Sequence, residues 1–287
     1  LKRLVDKIAI ILDMIRFPHT IFALPFAVMS AFLAAEGMPS FRQLFWILMC
    51  MVGARSAAMS FNRITDARYD ALNPRTAQRP IPAGRITILE TAAFLIFMIG
   101  LFVFSAYQLN RLAFLLSPVA LFVILGYSFT KRFTSSSHLL LGLSLAIAPV
   151  GAWIAIRASI SLLPLLLGLA VLLWTAGFDI IYACQDVEFD KRVGLRSLPE
   201  HIGVLPALAV SAGLHAAMVA VLGVVMVTAN LGTPFLLGII LVTILLVYEH
   251  LIVKPNDLSR VNTAFFNING AVSILLMTLA ILDIFAG

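Results

Sequence analysis

The sequence predicts an all-α polytopic membrane protein: nine transmembrane helices around a central cavity, with the N-terminus cytoplasmic. Three observations carry this. Of the 287 residues, 61% are hydrophobic and 12% charged, too little polar surface to coat a soluble domain. The apolar runs mostly reach about 18 residues or more, enough for a helix to cross roughly 30 Å of hydrocarbon, whereas barrel strands would be shorter and alternating. The basic residues collect between alternate runs.

Taken in order, the first run, about 17–35, follows Lys2, Arg3, Lys7 and Arg16. It lacks a small-residue cleavage pattern and precedes further spans, so it reads as a span and not a cleaved signal. The start at Leu1 suggests a trimmed chain. After Arg42 comes the second run, about 44–66, followed by Arg63, Arg68, Arg75, Arg79 and Arg85 around its end and the next loop. The third, about 86–109, meets the fourth, about 112–130, across Arg111. Lys131 and Arg132 precede the fifth, about 138–157, and Arg157 leads to the sixth, about 162–184. Lys191, Arg192 and Arg196 separate that from the seventh, about 203–229; the eighth, about 234–253, is followed by Lys254, Arg260 and the ninth, about 262–286. The positive-inside rule then sets the even-to-odd loops in the cytoplasm and the C-terminus outside.

The net charge of +6 and isoelectric point near 9.7 follow from this dispersed topology signal, so no nucleic-acid partner is expected. Cys50 and Cys184 lack ligand spacing and read as packing thiols. With no linker or low-complexity segment, 1–287 reads as a single integral membrane domain. Pro25, Pro118 and Pro149 fall inside spans; they either kink helices to open a cavity or are ordinary membrane-helix prolines.

Chemistry concentrates in "NRITDARYD" and "QDVEFD". Residues four apart on a helix differ by about 40°, so Asp66 and Asp70 share a face with Asn62 one turn earlier, and Asp186 and Asp190 repeat the pattern. Each pair is followed by basic residues and then an Arg close before a Pro, an echo that would bring two related helix ends to one cavity. Four carboxylates at one membrane face repel unless a cation joins them, and Mg2+ takes one or two carboxylates plus water and phosphate oxygens. The alternative is solvated helix-end aspartates paired with neighbouring arginines; repetition at two cytoplasmic helix ends favours the metal. Arg55, seven residues before Asn62, points to the same face from deeper in the membrane, and Asp179 with Tyr182 mirrors it before Asp186. A structural Arg55–Asp179 ion pair is the competing reading. A diphosphate on a long hydrocarbon suits this site: Mg2+, Arg75, Arg79 and Lys131 for the head, apolar helices for the tail.

These two motifs, "NRITDARYD" and "DIIYACQDVEFDKRVG", resemble the signatures of the UbiA superfamily of intramembrane prenyltransferases, nine-helix enzymes that use magnesium and a polyprenyl diphosphate. The segment 127–153, "YSFTKRFTSSSHLLLGLSLAIAPVGAW", is similar to that of the branch prenylating 4-hydroxybenzoate in quinone synthesis. The resemblance runs from about Arg16 to Gly203. It implies that Asn62, Asp66, Asp70, Asp186 and Asp190 hold metal and diphosphate. It also implies that Arg75, Arg79, Lys131 and Arg16 bind diphosphate, and that Arg55, Tyr127 and Asp179 lie near the aromatic acceptor; Tyr182, on the polar stripe of Asp179, Asp186 and Asp190, is a further substrate-binding candidate. The wording around both motifs looks closer to a relative in the futalosine route to menaquinone, so the acceptor implied is 4-hydroxybenzoate or 1,4-dihydroxy-6-naphthoate. The implied reaction is electrophilic aromatic substitution, for ubiquinone or menaquinone synthesis, at the cytoplasmic face of the inner membrane. Arg55 is expected on the acceptor carboxylate; Asp179 orients its hydroxyl or takes the ring proton.

His19, His138, His201, His215 and His250 show no metal spacing and read as hydrogen-bonded helix-end or bundle histidines, and Tyr107 and Trp153 as interfacial anchors. A transporter, with Arg55 and Asp179 lining an ion path, is disfavoured because the carboxylates cluster at one face. A prenyltransferase with a lipid glycerophosphate or porphyrin acceptor keeps the chemistry but lacks support from segment 127–153.

Overall fold

The computed structural model describes residues 2–15 and 20–286, which are helical with short connections. The helices are α1 (Lys2–Met14), α2 (Leu24–Ala35), α3 (Phe41–Thr65), α4 (Ala67–Leu72), α5 (Ile88–Leu109), α6 (Arg111–Gly126), α7 (Ser137–Arg157), α8 (Leu162–Ala183), α9 (Val187–Val193), α10 (Leu198–Ile202), α11 (Val204–Thr228), α12 (Thr233–Ile252) and α13 (Asn269–Ala286). Tight 3-10 turns at Tyr127–Arg132 and Cys184–Asp186 extend α6 and α8, and a π turn at Thr263–Ile268 leads into α13.

Among the described residues, eight helical stretches are long and apolar enough to span a membrane. They match the second to ninth expected spans within a few residues. The first differs: α2 has 12 residues, about 18 Å of helix, and residues 16–19 ahead of it lie outside the described set. Most of α2 is buried against α7 and α13. Pro25 stands in its first turn, where no intrahelical N–H is needed, which fits the ordinary-proline alternative there. Pro118 lies inside the continuous α6, and the Ser117 hydroxyl donates to the Phe114 carbonyl at 2.8 Å, the acceptor that proline leaves bare.

Local sequence sets the helix starts. Ser40 with Gln43, and Thr87 with Glu90, form reciprocal caps on α3 and α5, and the Asn110 side chain accepts the Ala113 N–H on α6. Small residues let helices approach closely: a Cβ on Gly142 would stand 2.5 Å from the Leu172 carbonyl oxygen, and one on Gly53 would stand 2.9 Å from the Phe102 nitrogen. The core joins α2, α8, α11, α12 and α13 around fully buried Trp174, Phe26 and Phe235. Its polar centre is largely paired: Trp174 Nε1 donates to Asn269 Oδ1 at 2.6 Å, and the Asn269 amide donates to Glu249 Oε1 at 2.8 Å and to the Ala264 carbonyl at 3.0 Å, while Glu249 Oε2 has no hydrogen-bond partner among the described residues. Trp153 is partly buried against this core, while Tyr107 is exposed beside Phe114.

Candidate active site

Each acidic motif sits where a long helix yields to a short one. α3 ends at Thr65, and Asp66, at φ −94° and ψ 3°, joins it to α4. The four-residue register survives the break, because the Asp66 and Asp70 amides donate to the Asn62 and Asp66 carbonyls at 2.9 and 2.8 Å. The aspartates therefore remain neighbours without lying on one uninterrupted helix. Likewise α8 passes through the Cys184–Asp186 turn into α9, which carries Asp190.

The loop after α4 reaches across to the second motif. Arg75 grips Asp186 with two parallel bonds, Nε to Oδ1 at 3.0 Å and Nη2 to Oδ2 at 2.5 Å, and donates through Nη1 to the Tyr182 hydroxyl at 2.6 Å. Asn73 adds its amide to Asp186 at 3.2 Å and accepts the Arg75 N–H at 3.0 Å. Arg79 donates to Asp70 at 2.6 Å, and Arg132 donates to the Thr65 carbonyl at 2.8 Å and lies 3.5 Å from Asp66. Lys131 lies within electrostatic reach of Asp179, Asp190, Asp186 and Asp66. Both motifs thus open into a single cavity of about 910 Å3, lined by Asn62, Asp66, Asp70, Asp186 and Asp190 together with Arg75, Arg79 and Lys131. Burial, then the Asp70 charge, hold the Asp66 carboxyl above its usual range despite Arg132 and Lys131. Burial works against the Arg75 cation, but Asp186 and Tyr182 outweigh it and its pKa is raised.

Among the described residues no three His, Cys, Asp or Glu side chains form a ready metal cage. The donor set nevertheless fits magnesium, which needs only one or two carboxylates when phosphate and water complete its shell. Asp70 Oδ2 and Asp190 Oδ2 are buried without a hydrogen-bond partner among the described residues, which is the feature a metal would relieve. The arginines presently answer part of the charge of the same carboxylates.

Deeper in the cavity lie Arg55, Tyr127, Tyr182 and Asp179, with Tyr127 in electrostatic reach of Arg55. The competing Arg55–Asp179 ion pair is not the contact Asp179 makes: its Oδ2 lies 2.6 Å from His138 Nδ1. Phe22, Phe178 and Phe265 form an edge-to-face and tilted aromatic wall, and Phe265 lies 4.4 Å, ring to ring, from Tyr182. Between α6 and α7 the cavity lining is mostly apolar, with Leu116, Val119, Ala120, Val123, Leu145 and Ala148. Cys50 also lines the cavity. Arg16 and His19 lie outside the described residues. Sequence reasoning missed Arg63, Asn73 and Arg132 as site groups: Arg63 lies 3.9 Å from Asp70, and all three sit within or just beyond the quoted motifs without the repeat that singled out the aspartates. His138 was passed over as an ordinary bundle histidine. His215 and His250 do pair within the bundle, at 3.0 Å.

The profile of the UbiA prenyltransferase family matches residues 23–271. The chain is 32% identical over 243 residues to a 4-hydroxybenzoate octaprenyltransferase of Marinobacter nauticus, covering 84% of this chain and 82% of that protein. It is 28% identical over 240 residues to the enzyme of the same name from Tolumonas auensis, covering 84% of each. Among solved structures, a UbiA homolog from Aeropyrum pernix superposes with a TM-score of 0.84 at 35% identity, covering 92% of this chain and 98% of that one. A UbiA homolog from Archaeoglobus fulgidus, bound to GPP and Mg2+, shares the fold at a TM-score of 0.69 and 23% identity, over 95% of this chain and 99% of that one.

Proposed function

Because the chain belongs to the UbiA prenyltransferase family, we propose that this integral membrane prenyltransferase moves a polyprenyl group from its allylic diphosphate to a ring carbon of an aromatic acid in quinone synthesis. The acceptor is 4-hydroxybenzoate or 1,4-dihydroxy-6-naphthoate; the names of the curated relatives support the former. The observation that carries the reading is the Arg75–Asp186 bridge, which joins the loop after the first motif to the second motif over one chamber.

Asn62, Asp66, Asp70, Asp186 and Asp190 would hold magnesium, which supplies neutralising charge to a leaving diphosphate. Arg75, Arg79, Lys131 and Arg16 bind the diphosphate oxygens, and their fixed cations favour breaking the C–O bond to the allylic carbon. The aromatic wall of Phe22, Phe178, Phe265 and Tyr182 faces the developing allylic cation with ring π-electrons and excludes water. The apolar lining between α6 and α7 houses the prenyl tail. Arg55 holds the acceptor carboxylate and Tyr127 packs beside it. Asp179 takes the proton released when the ring regains aromaticity. The whole chain acts as one domain, and the loops carrying Arg75, Arg79, Lys131 and Lys191 lie on the cytoplasmic side of the inner membrane, as their charge supports.

The test uses purified protein in lipid with radiolabelled geranyl diphosphate, magnesium or EDTA, and a panel of 4-hydroxybenzoate, dihydroxynaphthoates and glyceryl phosphates. Labelled prenyl-arene with one aromatic acid, only in magnesium, is expected. Product from a glyceryl phosphate alone would refute the acceptor class.

A further inference from the structure

We propose that His138, outside the cavity, is a positioning residue that fixes Asp179 as the acceptor of the ring proton; the inference rests on the aromatic prenyl transfer proposed above. His138 stands in the first turn of α7 and is 2% exposed. It does not line the cavity, whereas Asp179 on α8 does. Its two ring nitrogens are both engaged. The Leu198 backbone N–H, at the start of α10, donates to Nε2 at 3.2 Å, and Nδ1 lies 2.6 Å from Asp179 Oδ2.

That pair of contacts fixes the tautomer. A nitrogen that accepts a backbone N–H carries a lone pair and no proton, so the ring is neutral and its single N–H is on Nδ1, donated to Asp179. The aspartate must then accept through Oδ2, and a donated N–H favours its carboxylate form. Lys131, in electrostatic reach, supports the same state. One carboxylate oxygen is committed to the histidine, and the other is the oxygen available to a substrate. The orientation is set from three elements, α7, α8 and α10, so the carboxylate is held before any acceptor arrives.

The balance of the step is simple. The C–O bond to diphosphate breaks first and diphosphate leaves with its electron pair; a ring π-electron pair then forms the bond from the ring carbon to the allylic cation. The substituted ring carbon then gives its proton to Asp179 Oδ1, and the C–H electron pair restores aromaticity. His138 gains and loses nothing; it keeps Asp179 aimed and ionised.

The experiment measures steady-state turnover, acceptor-free release of diphosphate, and the kinetic isotope effect with ring-deuterated acceptor, for the full chain in lipid. His138→Leu removes both hydrogen bonds, and a general base that loses its aim is expected to cost about ten- to hundred-fold in kcat. KM for both substrates is expected to stay within about twofold, since binding contacts are untouched. Proton removal becomes slow, so the ring-deuterium isotope effect rises above that of the parent, while acceptor-free diphosphate release stays unchanged. His138→Gln offers one donor and one acceptor and is expected to restore both turnover and the parental isotope effect. If His138→Leu does not fold, His138→Asn, which keeps a donor near Asp179 and loses the acceptor for Leu198, is expected to raise the isotope effect. Full turnover without His138, or lost turnover with a parental isotope effect, would overturn the inference. Absence of any prenyl-arene from the parent protein would instead refute the reaction itself.

Discussion

Arg75→Ala isolates the contact between the two motifs. Arg75 gives Asp186 two charge-assisted bonds, at 3.0 and 2.5 Å, and Tyr182 a third. A hydrogen bond to a charged group is worth about 1.5–3 kcal/mol. The Arg75 side chain is 33% exposed and that of Asp186 11%, so water takes over part of the lost interaction and the stability cost falls to about 1–2 kcal/mol. The effect on turnover is larger. When a diphosphate leaves in a site shielded from water, losing one preorganised donor costs about 2.7–4 kcal/mol, or about 10²–10³ in kcat. Arg75→Lys keeps the charge without the planar fork and should fall between parent and alanine. Turnover is measured with geranyl diphosphate in lipid at saturating magnesium, with Arg42→Ala as a control, since Arg42 is exposed at the start of α3 and donates to the Gln108 carbonyl there. An alanine variant within about threefold of the parent would refute the reasoning, because a clamp donor cannot be removed that cheaply.

Other consequences follow from neighbouring contacts. Chelation by EDTA should abolish turnover and its reversal by excess Mg2+ should restore it; activity that survives chelation would remove the aspartates from a metal role. Arg55→Ala should raise KM for the aromatic acid by about tenfold or more while leaving KM for the diphosphate alone; an unchanged acceptor KM would free Arg55 from that task. Gly142→Ala should lower the thermal midpoint, since overpacking against the Leu172 backbone costs about 1–3 kcal/mol; Gly100→Ala, where nothing lies within 4 Å, should not. Asn269→Leu leaves Trp174 Nε1 and Glu249 Oε1 without their partner, a loss of about 1–3 kcal/mol for each; a midpoint equal to the parent would contradict that.

The membrane class was legible because burying an apolar helix in lipid writes itself into composition and run length, and eight of the nine runs reappear within a few residues. α2 was less legible. The run about 17–35 begins on residues outside the described set, its described helix covers 12 residues enclosed by its neighbours, and no local signal distinguishes a run facing lipid from one facing other helices. The paired aspartates stood out because like charges four residues apart are costly without a cation. Arg63, Asn73 and Arg132 carry no such cost in sequence, since a lone arginine or asparagine near a helix end is ordinary. Their roles arise only when the loop after α4 folds over α8. His138 was invisible for a related reason: its partners, Asp179 and Leu198, are 41 and 60 residues away, and only tertiary packing joins them.

Calorimetric binding of a non-hydrolysable geranyl diphosphate analogue, with and without Mg2+, compared among the parent, Asp70→Asn and Asp186→Asn, tests most directly whether distant helix ends share one ligand. Tight binding that needs magnesium in the parent, and loses that magnesium dependence in both variants alike, is the expected result. Retention of the full magnesium effect in either variant would mean that a single motif suffices, and the shared chamber would have no chemical meaning.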